Sequence, residues 1–128
     1  MCNFHFPTLI AAGLLTLSLA ALANELDVPI MEEGGDGQIT TCTGSVVTGL
    51  DPNGDGFLAV RSGPGSQYRK LAELHNGDAV YVFDYKGKWV GVVYGEPQGD
   101  ECSSTKTHPV TNPKRGWVHG KWLKHVAG

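Results

Sequence analysis

The chain has 128 residues and a formal net charge of −3. Residues 1–23 hold no charged side chain, so the mild acidity belongs to the remainder, which offers no basic stripe for nucleic acid and no case for an anionic membrane surface. A cut after Ala23 leaves 105 residues, enough for one small domain and too few for a catalytic domain beside a binding domain.

Residues 7–20 (PTLIAAGLLTLSLA) are apolar apart from small hydroxyls, and Ala21-Leu22-Ala23 before Asn24 has the small-x-small form of a signal-peptidase site. Residues 1–23 therefore read as a secretory signal peptide, although MCNFHF carries no Lys or Arg, and an uncleaved signal-anchor is the alternative. The run is short for a spanning helix, so no stable membrane insertion is expected once the signal is cut. Residues 24–37 (NELDVPIMEEGGDG) are acidic and Gly-rich and read as a flexible lead. The domain is placed at 38–128.

Cys2 falls in the signal, which leaves an even pair, Cys42 and Cys102. Export to an oxidising compartment and a small core make a disulfide the expected state, with two buried free thiols as the alternative.

From residue 38 onward β-branched and turn residues take over. ITTCTGSVVTGL, FLAVRS, DAVYVFDY and KWVGVVYG read as short strands bounded by Gly, Pro, Asn or Asp, and nothing has the length and 3.6 period of a helix. An all-β barrel or sandwich of antiparallel strands follows. Residues 75–78 (HNGD) and 85–88 (YKGK) supply Gly turns, the second a hairpin. Residues 95–115 are polar, hold three prolines and read as a long surface loop, tied to the first strand through Cys102. The closing stretch, GWVHGKWLKHV, reads as strand, tight turn and final strand.

Asp51-Pro52-Asn53-Gly54-Asp55-Gly56 matches the first half of a calcium loop, but the twelfth position, which needs a bidentate Glu, is Ser62. A turn between strands explains it with less. His75, His108, His119 and His125 lack the i, i+4 spacing of a helical zinc site. No Gly-x-Ser-x-Gly occurs and both remaining cysteines are expected to pair, so no activated nucleophile is in view. The expectation is a protein without catalytic residues, metal or cofactor, with a metal-dependent hydrolase as the enzyme alternative. Tyr68, Trp89 and Trp122 sit beside turns, where amphipathic rings bind partners.

Residues 58–65 (LAVRSGPG) followed by Tyr68, then 74–82 (LHNGDAVYV), 87–92 (GKWVGV) and 116–123 (GWVHGKWL) form four ordered motifs. In them the chain resembles the bacterial Src-homology-3-like (SH3-like) domains of exported proteins. The resemblance implies a small SH3-like barrel of five to six short antiparallel strands, here carrying a long disulfide-tethered loop. In it FLAVRS turns at Gly63-Pro64-Gly65, whose Gly and Pro reach dihedrals closed to β-branched residues. Arg61 packs or pairs at that turn. The resemblance also implies an aromatic groove for an extended peptide, with Trp89 and Trp122 facing it, His119 in the place of a groove proline, and Tyr68 at the first loop.

The reading is thus a periplasmic or secreted non-enzymatic module that binds a cell-wall peptide or envelope protein through Tyr68, Trp89, His119 and Trp122. The alternative is a periplasmic inhibitor or immunity-type protein that blocks an envelope enzyme with the 95–115 loop, through Lys106, His108, Lys114 and Arg115. A structural subunit of an envelope complex is a third reading.

Overall fold

The computed structural model describes residues 25–37, 41–95 and 102–127. The signal peptide expected over 1–23 lies outside them. Among the described residues nine short strands and one 3₁₀ turn form: β1 (Met31–Glu32), β2 (Thr43–Val47), β3 (Leu58–Arg61), β4 (Lys70–Leu74), β5 (Ala79–Lys86), β6 (Trp89–Tyr94), β7 (His108–Pro109), β8 (Arg115–His119), the 3₁₀ turn (Gly120–Trp122) and β9 (Leu123–Ala127). Seven of them make one antiparallel sheet in the order β4-β3-β8-β6-β5-β2-β9, and β1 pairs with β7. No helix among the described residues is long and apolar enough to cross a membrane.

Alternation along the strands builds the inner core. Val47, Leu58, Val60, Leu74, Val80, Val82, Val90, Val92 and Val118 come from six strands and pack together, with Leu123 of β9 against them. A sheet whose strands all point one face at the same cluster has to curl around it, which gives the small barrel expected from the sequence. It has one strand more than the five to six expected. The addition is β4, whose KLAEL has few β-branched residues but pairs with β3 from Leu58↔Leu74 to Arg61↔Lys70.

The outer face of the barrel is also covered, and here the structure corrects the expected flexible lead. Leu26, Val28 and Ile30 join Phe83, Val93, Val110 and Trp117 in a second apolar cluster. Ile30 and Trp117 are both 0% exposed. Backbone groups sew the segment down: Asp27 and Val28 donate to Ser62 O at 2.9 and 3.1 Å, and Val110 donates to Ile30 O at 2.8 Å. Trp117 Nε1 donates to Val28 O at 2.9 Å, and Met31 N–H to Asp84 Oδ2 at 2.9 Å. Beneath Ile30 lies Gly91, where an added Cβ would stand 2.8 Å from Ile30 Cγ1 and Cγ2. The folded unit therefore extends back from residue 38 to include residues 25–37.

The expected disulfide joins Cys42 to Cys102, with Cα atoms 4.9 Å apart. Beside it Glu32, 3% exposed, is a buried carboxylate. It accepts from Thr41 Oγ1 and, at 3.5 Å, from Ser104 N–H, and it pairs with His108 Nε2 at 2.9 Å. A buried charge persists only when partnered in this way. These partners tie the cover, the start of β2 and the long loop at one point.

The Gly63-Pro64-Gly65 turn differs in cause from the expectation. Neither glycine is among those with positive φ, so dihedral freedom is not the reason for them. Space is: an added Cβ at Gly63 would lie 2.5 Å from the Tyr68 ring. Arg61 Nη1 donates to Tyr68 O at 2.9 Å, closing the turn from the other side. Residues 51–56 form a turn in which Asn53 N–H donates to Asp51 Oδ1 at 2.9 Å.

Candidate functional site

The β6–β8 register places Trp89 opposite His119. Their rings meet edge to face, with centroids 5.5 Å apart and planes at 63°, a geometry favoured by the ring quadrupole. Trp89 packs partly against the outer cluster and stays half-buried. Directly after His119 the chain enters the 3₁₀ turn, and His119 Nδ1 accepts the Lys121 N–H at 3.2 Å. Gly120 N–H donates to Lys88 O at 2.8 Å, which joins the turn to the tip of the β5–β6 hairpin. Between them lies an open depression of about 450 Å³ lined by Gly87, Lys88, Val90, His119, Gly120 and Lys121.

The other two aromatic candidates stand apart from this pair. The Trp122 ring packs on the inner core and borders the depression only through Lys121, whose Nζ stands 4.6 Å from its centroid. Tyr68 rests on Gly63 in the first loop. A second depression, about 350 Å³, is lined by Leu74, Asp78, Ala79, Tyr94 and Gly95.

The loop candidates divide as well. His108 is turned inward onto Glu32, and Arg115 Nη1 donates to Asn112 O at 2.8 Å. Lys106 and Lys114 are exposed. Among the described residues no group of three or more His, Cys, Asp or Glu is arranged to hold a metal.

Residues 56–124 match the bacterial SH3 domain family, a stretch longer than half of the 128-residue chain. The chain belongs to the bacterial SH3 domain family. No curated protein and no solved structure matches it. The match takes in the Trp89–His119 pair and the whole depression, whereas the cover and β2 precede it. A bacterial SH3 domain suggests a binding module, of a kind often associated with the cell wall.

In this bacterial SH3 domain, burial first, then the charges of Lys121 and Lys88, hold the His119 imidazole below its ordinary range. The neutral ring is also the form whose Nδ1 can accept the Lys121 N–H. An NMR titration is expected to place His119 below the ordinary imidazole value of about 6.5. Lys121→Ala should raise it only part of the way, because burial is the larger cause. With a depressed folded value, the contribution of this residue to stability is present above the unfolded value and is lost as pH falls from there toward the folded one.

Proposed function

We propose that this bacterial SH3 domain is an exported, non-enzymatic binding module that recognises a cell-wall peptide or an envelope protein at the Trp89–His119 mouth. The observation that carries the reading is the cross-strand Trp89–His119 pair beside an open depression, built where the hairpin tip meets the 3₁₀ turn. A half-exposed aromatic ring next to polar donors, on rigid strands, suits an extended peptide with one flat apolar surface and several hydrogen-bonding groups. The family and the disulfide fit an extracellular or periplasmic protein.

The test is retention of the purified, oxidised protein on sacculi. The unaltered protein is expected to be retained, and Trp89→Ala, checked for native circular dichroism, to weaken retention by more than about tenfold, as loss of a central aromatic anchor does. Capture of one envelope protein with empty sacculi, abolished by loop changes at Lys106 and Lys114 but not by Trp89→Ala, would replace this reading with that of an inhibitor. That second reading draws its support from the loop being preorganised by the disulfide and the Glu32 cluster.

A further inference from the structure

Positive charge collects at this mouth although the chain as a whole is acidic. Lys88 from the hairpin tip and Lys121 from the 3₁₀ turn both line the depression with His119. Among the described residues the ion pairs engage Arg69, Lys70, His75 and His108, and neither Lys88 nor Lys121 takes part in one. Asp84, on the same hairpin, is committed elsewhere: Oδ2 accepts Met31 N–H and Oδ1 accepts Tyr85 N–H. Lys121 faces an aromatic ring in place of a carboxylate.

The donor set has one sign. Both ammonium groups can only donate. His119 uses Nδ1 as an acceptor for the turn, so its neutral ring carries the proton on Nε2 and adds a donor. Gly87 and Gly120, also in the lining, bring no side chain that would obstruct a ligand's approach. Such a set is matched by an anionic group with several acceptor lone pairs, held by charge-assisted hydrogen bonds.

We propose that Lys88, His119 and Lys121 form a carboxylate-binding site that takes the C-terminal or side-chain carboxylate of a peptide ligand. The inference rests on the reading of the Trp89–His119 mouth as a peptide site and adds what the peptide must carry. Lys88 and Lys121 fix the charge, His119 fixes the direction, and Trp89 receives the adjoining apolar part of the peptide.

The test is an NMR titration of the oxidised protein with N-acetyl-dialanine bearing a free carboxylate and, separately, with its C-terminal amide. Titration runs to about 20 mM, which covers millimolar binding, about −4 kcal/mol. The free acid is expected to shift residues 87–91 and 119–121 and the amide to bind at least about tenfold more weakly, a ratio equivalent to about 1.4 kcal/mol. Lys88→Ala/Lys121→Ala, two exposed positions, should abolish the preference for the acid, bringing acid and amide to the same weak binding. Equal binding of acid and amide, an acid preference that survives the double variant, or no shift at 87–91 and 119–121 overturns the carboxylate site. Sacculus retention separates the two levels. Retention lost in Trp89→Ala but untouched by the lysine pair would reject the carboxylate and keep the peptide reading, whereas an unaltered protein that fails to bind sacculi while the acid preference persists would reject only the wall ligand.

Discussion

Breaking the Cys42–Cys102 disulfide, by reduction or by Cys42→Ala/Cys102→Ala, is expected to lower the unfolding free energy by about 4 kcal/mol, the loop-closure entropy of a ring this long. The two cysteines are 60 residues apart in sequence, and the ring holds β2 to β6, most of the barrel. The crosslink also brings Thr41 N–H onto Cys102 O at 2.9 Å, beside the partners of Glu32, so its loss loosens the ends that satisfy a buried carboxylate. Urea unfolding followed by Trp fluorescence measures the effect, a fall in midpoint of about 2 M for a slope of about 2 kcal/mol/M. A difference below about 1 kcal/mol, well short of the entropy expected, would contradict this account of the crosslink.

Ile30→Ala is expected to cost about 3 kcal/mol, in the range for a fully buried Leu or Ile truncated to Ala. Ile30 has no exposed surface and sits over Gly91, a residue with no side chain to move into the vacated space. The cavity therefore persists, which places the cost above that of simple transfer. Ile30→Val should cost about 1 kcal/mol. A flexible lead would predict no change for either variant, so equilibrium unfolding of the pair decides between the two descriptions of residues 25–37. The combined loss of Ile30 and the disulfide should fall short of the sum, because both act on the same cover.

The barrel was legible because its strands alternate and its turns carry their own chemistry. Gly77 and Gly87, placed at turns from Asn-Gly and Lys-Gly, take φ of 93° and 63°. The cover was hidden by composition, since acidic and glycine residues outweigh a period-two pattern, Leu26, Val28 and Ile30, that reads as a strand once isolated. β6 held a second signal. WVGVVY has no polar residue on its outer side, and a strand buried on both faces requires a second layer.

The site was legible in part for a similar reason. Trp89 and His119 meet because β6 and β8 pair in one register, a non-local fact that the family motifs carry and local pattern does not. Trp122 closes the 3₁₀ turn and packs its ring on the inner core, and Tyr68 follows a turn whose Gly63 accommodates its ring. Neither orientation can be read from spacing alone. The lysines beside the mouth carry no local signal, because a Lys at a hairpin tip is ordinarily only a solvated residue. Their significance comes from the Gly120–Lys88 backbone bond that brings the tip to the turn.

The most direct test of the account is a backbone amide shift map of the oxidised, isotopically labelled protein titrated with soluble peptide fragments of the cell wall. Shifts confined to residues 87–91 and 119–121, and absent in Trp89→Ala, are the predicted result. Shifts confined to the described loop residues 102–115, or none at any concentration reached, would contradict it.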